Sequence, residues 1–522
     1  MKSLYVLPLV FLASGTLTVF GEGCESLSSL KLPDTTFTAT AVPAGDFKPP
    51  QGAALHNLPA FCRVSGVMKP SSDSNIQFEV WMPSSGWNGR LQGIGNGGFA
   101  GVITYDALGV AVSKGYAIAS TDTGHTGGAT SAGWALGHPE KVVDFGYRAI
   151  HETAVKAKTI LAAFYGGGPK HSYFHSCSNG GRQALMEAQR YPGDYDGIIA
   201  GAPAYYWTHL LTLAIWNTQA LLMDEASYIP ASKLPALESA ALAACDALDG
   251  VTDGVIDDPT KCHFDPSKLL CSGADSDACL TAPQVAALQK IYSGIKSGKG
   301  TQIFPGFPPG GETGQGGWAI WTTGPAREKS LAYAFGTQFF ANMVYENAGW
   351  DFRTFTVEKD MKAADEKLAK VLNATDANLK PFQSRGGKLV LYHGWSDAAI
   401  PPTATIQYYD EVVKKMGAKE SEGFVRLYMV PGMQHCGGGP GPNVFGSASV
   451  PLGDPEHDAG RALERWVEDG VAPGQIIATK FKTGSNPTSG IVRTRPLCPY
   501  PQVAHYKGSG STDDAANFTC SK

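Results

Sequence analysis

The sequence predicts an α/β fold whose parallel sheet is interrupted by a large insertion, on three observations. Extended and helical segments alternate in two blocks, the alternation breaks down for about 180 residues between them, and a glycine-bearing strand-to-helix turn lies in "YFHSCSNGGRQALMEAQRYP", residues 173–192. Alternating strands and helices are the pattern of a parallel sheet with helices packed on its faces.

In the first block, "IQFEVWMP", "GRLQGIGNGG" and "GYAIASTDTGH" read as strands, the third ending in a polar turn. A helix over 140–165 follows, carrying Val143, Phe145, Ile150, Val155 and Ile160 among charged positions. Then come a strand through Tyr173 and Phe174, a helix from about Gly180 to Arg190, and the strand "DGIIAGAP". The second block resumes with "GGKLVLYHGWSD", the helix "TATIQYYDEVVKKMG", the strand "FVRLYMVPG" and the helix "HDAGRALERWVEDG". The interval 204–383 reads as loop-rich and holds the Gly/Pro run "FPPGGETGQGGW", many aromatics and Cys245, Cys262, Cys271 and Cys279. No internal repeat is visible, and "KGSGSTDDAANFTCSK" reads as a surface tail pinned by Cys520.

A chain of 522 residues that is 43% hydrophobic and 17% charged can bury a large core. A net charge of −5 supplies no basic stripe for phosphates, which argues against nucleic acid as a partner. The start, "MKSLYVLPLVFLASGTLTVFGEGC", has the layout of a secretory signal peptide ending near residue 21. No later segment is long and apolar enough to span a membrane, so the expected product is extracellular or periplasmic and free of membrane. Ten cysteines without a C-x-x-C pair read as a disulfide framework in an oxidising compartment. Proximity pairs Cys24 with Cys62, Cys245 with Cys262, Cys271 with Cys279 and Cys498 with Cys520, which leaves Cys177 and Cys436 for each other.

Ser178 sits in the frame Ser176-x-Ser178-x-Gly180, between a strand and a helix start. This is close to the G-x-S-x-G turn that lifts a nucleophilic serine above a sheet, with Ser176 in place of the first glycine. In α/β-hydrolases the chain order is serine, acid, histidine, each on a loop after a strand. Asp397 in "HGWSDAAIPP" and His435 in "PGMQHC" fit that order. Because Cys177 precedes Ser178 and Cys436 follows His435, a disulfide between them would clamp the nucleophile beside its base. Oxyanion donors are expected from the backbone N–H of Asn179 and from "GNGGFAG", at Gly97 or Gly98. Gly93, Gly95 and Gly98 also satisfy G-x-G-x-x-G, but no clear helix opens behind them and no second half-domain follows, which argues against a dinucleotide. His125, in "TDTGHTG", precedes Ser178 and has no bridging cysteine, so it reads as a turn or pocket-edge residue.

In "CDALDGVTDGVIDDPTKC", Asp246, Asp249 and Asp253 with the carbonyls of Val251 and Val255 either converge on a hard cation or serve as turn and capping groups; spacing alone does not separate the two.

The residues "CSNGG", "GWSD" and "HC", in this order and with a cysteine-bearing insertion between the first two, resemble the tannase and feruloyl esterase family of secreted α/β-hydrolases. The resemblance runs from about Cys24 to Cys520. It implies a catalytic triad of Ser178, Asp397 and His435 bridged by the Cys177–Cys436 disulfide, and a structural calcium ion held in the insertion by Asp246, Asp249, Val251, Asp253 and Val255, with no organic cofactor. It implies a hydrolase core over 22–203 and 384–522 and a lid over 204–383. The activity it implies is hydrolysis of aromatic acyl esters of plant origin, feruloyl esters first and galloyl esters as the alternative, with a free or polysaccharide-linked ester as partner. A non-catalytic module binding aromatic glycosides or cell-wall polymer is the reading from another class, and an intact triad argues against it. Tyr205, Tyr206, Trp207 and Trp318 are the aromatics expected to roof the pocket.

Overall fold

A computed structural model describes residues 23–446 and 453–522; the expected signal peptide lies outside the described residues. Nine strands form one sheet: β1 (Thr35–Val42), β2 (Phe61–Met68), β3 (Ile76–Pro83), β4 (Arg90–Ile94), β5 (Ala117–Thr121), β6 (His171–Cys177), β7 (Gly197–Gly201), β8 (Lys388–Gly394) and β9 (Val425–Val430). Their spatial order is β1-β2-β3-β5-β4-β6-β7-β8-β9. From β5 to β9 every pairing is parallel, whereas β1 with β2, β2 with β3, and β3 with β5 are antiparallel. The sheet is therefore mixed, not wholly parallel. The Thr-rich β1 alternates half-buried and exposed positions at the sheet edge, a weaker pattern than that of the central strands.

The central strands are apolar on both faces because helices cover both. Ile198, Leu389 and Leu391 point to the side of α3 (Asn179–Arg190) and α6 (Pro402–Met416), while Ile199, Val390 and Tyr392 point to the side of α7 (Ala459–Asp469). On the antiparallel half, α1 (Tyr105–Ser113) packs on Trp81 and Ile118, and α2 (Ala149–Tyr165) packs on Val80 and Ala119. The helix expected over 140–165 carries one π turn at Asp144–Arg148.

Between β7 and β8 no segment joins the nine-stranded sheet. This interval is built largely of helices rather than loops, among them α4 (Trp207–Leu222), Leu234–Cys245, Ala282–Ser293, α5 (Leu331–Gln338) and Lys362–Leu372. Their amphipathic signal is weak because several are covered on most sides; in α4 polar Thr208, Thr212 and Asn217 are buried alongside Leu211 and Ile215. The C-terminal segment is also more ordered than its sequence suggests. Ile476–Phe481 pairs with Ile491–Leu497, and Val503–Tyr506 pairs with Phe518–Ser521, so the tail is a hairpin tied by Cys498–Cys520. All ten cysteines are paired, the remaining bridges being Cys24–Cys62, Cys177–Cys436, Cys245–Cys262 and Cys271–Cys279. No helix among the described residues is long and apolar enough to cross a membrane.

Arg182 on α3 joins the inserted helices to the sheet-covering layer. Fully buried, it donates to the carbonyls of Gly146 (2.8 Å) and Phe145 (3.1 Å) in the π turn, to Leu372 O (3.4 Å) and to Asn179 Oδ1 (2.8 Å). Its guanidinium lies over the rings of Phe145 and Trp207, and burial pushes its pKa down to about 9. Arg182→Met would remove these hydrogen bonds from a fully buried site, at a cost of roughly 3 kcal/mol. A clear fall in the thermal unfolding midpoint is the expected outcome, and an unchanged midpoint would contradict the role given to this residue.

Candidate active site

Ser178 stands at the tip of the β6-to-α3 turn with φ 68° and ψ −126°, a conformation that costs a non-glycine residue energy and that the surroundings must hold. Its N–H donates to Gly201 O (2.9 Å) and its carbonyl accepts from Ala204 N–H (3.1 Å). Ser176 replaces the usual first glycine because Gly180 makes room for it: a Cβ on Gly180 would lie 1.9 Å from Ser176 Oγ. One strand over, Gly95 is required by the close approach of Gln183, whose amide oxygen accepts the Asn96 N–H. The glycines of the G-x-G-x-x-G match thus serve packing, Gly95 against α3, Gly93 against Tyr195 and Phe174, and Gly98 against Ala129.

Asp397 follows β8 and His435 follows β9, and the two loops are pinned together by Ser396 N–H donating to Met433 O (3.0 Å). Ser178 Oγ lies 2.9 Å from His435 Nε2, and His435 Nδ1 lies 2.7 Å from Asp397 Oδ2. An ionised carboxylate only accepts, so Nδ1 carries the hydrogen and Nε2 is left to receive the serine proton. The Cys177–Cys436 bridge, with Cα atoms 5.9 Å apart, runs directly beside this contact.

Asp397 is held by more than His435. Its Oδ1 accepts the N–H groups of Ala399 (2.7 Å) and Ile400 (2.9 Å), and its Oδ2 also receives His393 Nε2 at 3.1 Å. His393 Nε2 lies 3.1 Å from Ile400 O as well. Facing two acceptors, Nε2 carries the hydrogen of this fully buried ring, so Nδ1 accepts from Thr405 Oγ1 at 2.7 Å. Burial pushes the Asp397 carboxyl up, but the charge of His435 and the hydrogen bonds from His393 and His435 outweigh it and hold the group well below the usual carboxylate range. Sequence reasoning missed His393; its spacing of four residues before Asp397 was the available signal.

His125 takes no part in this relay. It stacks on Trp134 (3.8 Å between centroids), lies 2.6 Å from Phe99 O through Nε2, and burial pushes its pKa down to about 4. It braces the glycine loop from outside the cavity.

A cavity lies above Ser178 and opens in part to solvent. Of the residues expected to supply oxyanion donors, Gly98 and Asn179 line it and Gly97 does not. Its other walls are mostly apolar, with Trp207, Leu211, Phe307, Trp321, Phe335 and Ile400 among them. Of the four aromatics expected as a roof, only Trp207 lines the cavity. Tyr205 and Tyr206 pack on Tyr408 and His209, and Trp318 packs on Tyr292. Trp321 instead meets the His435 ring edge-to-face at 5.0 Å.

In the acidic loop, Asp246 accepts the N–H groups of Asp253 (3.2 Å) and Gly254 (2.9 Å), Asp249 accepts that of Val251 (2.9 Å), and Asp253 pairs with Arg493 (3.0 Å) and Arg495 (2.5 Å). Val251 and Val255 are buried. Asp257, which the sequence reading passed over, is also buried and has a carboxylate oxygen without a hydrogen-bond partner. None of these residues lines the Ser178 cavity. Asn373, at an N-x-T acceptor site, is buried against Thr208 (2.9 Å) and so is not presented for glycosylation.

Comparison with known proteins places this geometry in a family. The "Tannase and feruloyl esterase" profile matches residues 62–521. An uncharacterized esterase of Xanthomonas campestris pv. campestris is 46% identical over 95% of this chain and 91% of its own length. A protein of Aspergillus terreus named "Probable feruloyl esterase B-2" is 32% identical over 99% of both chains. The crystal structure of feruloyl esterase B from Aspergillus oryzae superposes with a TM-score of 0.87 at 30% identity, covering 95% of this chain and 99% of that one. A serine, histidine and aspartate in hydrogen-bonded series on the loops after β6, β9 and β8, within a chain matched over nearly its whole length, make this protein a member of the tannase and feruloyl esterase family of carboxylic ester hydrolases.

Proposed function

We propose that the protein is a secreted serine esterase that hydrolyses feruloyl-type hydroxycinnamoyl esters through an acyl-enzyme on Ser178. The observation that carries the acyl preference is the cavity wall. Beyond the triad, its side chains are apolar except for the Asn179 and Asn217 amides and the indole N–H groups of Trp207 and Trp321. A galloyl ring buries three hydroxyls that each need a partner, whereas a methoxycinnamoyl ring buries one, so an almost wholly apolar wall favours the latter. The five disulfides favour an oxidising compartment.

In this reading, Ser178 Oγ bonds to the ester carbonyl carbon as its proton passes to His435 Nε2, and Asp397 stabilises the imidazolium that forms. The carbonyl oxygen takes the negative charge and is met by the N–H groups of Asn179, at the N-terminus of α3, and Gly98. The imidazolium then protonates the departing alcohol oxygen as the ester bond breaks. Water, deprotonated by His435, attacks the acyl-enzyme and frees the acid. His393 and the two backbone donors keep Asp397 ionised and oriented throughout.

A hard divalent cation in the acidic loop would be held by Asp246, Asp249 and Asp253 with the Val251 and Val255 carbonyls, an all-oxygen set; what supports it is buried Asp257 beside them, whose unpartnered carboxylate oxygen lacks a positive partner. Calcium there would supply structural cross-linking of a loop also closed by Cys245–Cys262.

Three outcomes are expected. Measured side by side, kcat/KM for methyl ferulate exceeds that for methyl gallate, and Ser178→Ala abolishes both; preference for gallate would overturn the acyl assignment, and activity surviving the substitution would overturn the nucleophile. His393→Leu lowers kcat roughly tenfold with KM little changed, since one hydrogen bond to an ionised group is lost; an unchanged kcat would remove His393 from the mechanism. Chelation lowers the thermal midpoint, calcium restores it, and kcat/KM at 25 °C stays near its starting value; a midpoint indifferent to chelation would contradict the cation.

A further inference from the structure

The helix α4 borders the cavity along one face. Trp207, Leu210, Leu211, Ala214 and Asn217 all line it, at spacings of three and four residues that put them in one stripe. The start of this stripe is tied to the nucleophile, because Ala204, three residues before Trp207 and itself a lining residue, donates its N–H to Ser178 O. From Trp207 to Asn217 the helix advances about 15 Å at 1.5 Å per residue. Asn217 lines the cavity and is only 1% exposed.

Its amide oxygen is buried without a hydrogen-bond partner. An unpaired buried amide in an apolar wall is costly, and a leucine would pack there without that cost. Such a group is explained if a ligand satisfies it. We propose that Asn217 is the specificity-determining residue for the acyl group, accepting a hydrogen bond at Oδ1 from the phenolic hydroxyl of a hydroxycinnamoyl ring. This rests on the hydroxycinnamoyl reading above and deepens it. The vinyl spacer between carbonyl and ring carries the phenol away from Ser178 along the α4 stripe, and the apolar residues between accept the ring faces. Asn217 then meets the phenolic hydroxyl, the only hydrogen-bond donor on that ring. An ester lacking that hydroxyl would bind with the Asn217 oxygen still unpaired, so the residue discriminates against it.

The test is kcat/KM for methyl ferulate and methyl cinnamate, which lacks ring oxygens, in the wild type and in Asn217→Leu and Asn217→Ala. The ratio of the two constants is read within each protein, so a partly misfolded preparation lowers both values and leaves the ratio unmoved. The expected result is a wild type favouring ferulate and a ratio that falls at least tenfold in both variants. A ratio unmoved by either substitution, in a wild type that cleaves both esters, overturns the assignment to Asn217 while leaving the hydroxycinnamoyl reading standing. A wild type that cleaves methyl gallate and neither cinnamoyl ester overturns that reading and the assignment with it.

Discussion

Nucleophile and base in this protein start far apart. Ser178 leaves the end of β6 and His435 the end of β9, three strand spacings away in the sheet, or roughly 14 Å at 4.8 Å each. The loop after β9 must therefore fold back across the ends of β8 and β7 to bring the imidazole within 2.9 Å of the serine. The Cys177–Cys436 bridge fixes that return at residues adjacent to both groups. Glycines 432, 437, 438 and 439, all at positive φ together with Cys436, let the backbone turn tightly enough to make it.

The acid is secured differently. Asp397 sits close to its own strand, and its carboxylate collects donors from two histidines and two backbone amides. That set outweighs the cost of complete burial and keeps the charge that orients His435. Buried Arg182, bonded to the Asn179 side chain and to carbonyls of Phe145, Gly146 and Leu372, links the residue after the nucleophile to the inserted helices. The insertion is thus joined to the catalytic turn from beneath as well as above, where Trp321 touches His435.

Much of this was legible in the sequence, because chemistry that depends on rare residue types in a fixed order survives the absence of coordinates. Asp397 and His435 follow strands with strong apolar runs, Ser178 sits at a glycine-bearing strand-to-helix turn, and cysteines flank the first and last of the three. What escaped depended on three-dimensional surroundings. His393 reads as one more residue of the strand "KLVLYHG" until its partners are seen. The helices of the insertion hid because burial on most sides erases their polar stripe, and Gly/Pro runs between them look like loop. The cavity aromatics could not be chosen by composition, since Tyr205, Tyr206 and Trp318 are as aromatic as Phe307, Trp321 and Phe335 and differ only in which way they face. Asp257 was lost in the acidic run beside it.

The central claim is that the Cys177–Cys436 bridge holds the base against the nucleophile, and its most direct test is kcat for the Cys177→Ala/Cys436→Ala double variant at a temperature where circular dichroism shows it folded. Displacement of a catalytic group by about 1 Å can cost a hundredfold in rate. The account predicts a loss of at least that size in kcat with the fold retained. A folded double variant turning over at the wild-type rate would contradict it and leave the bridge a role in stability alone.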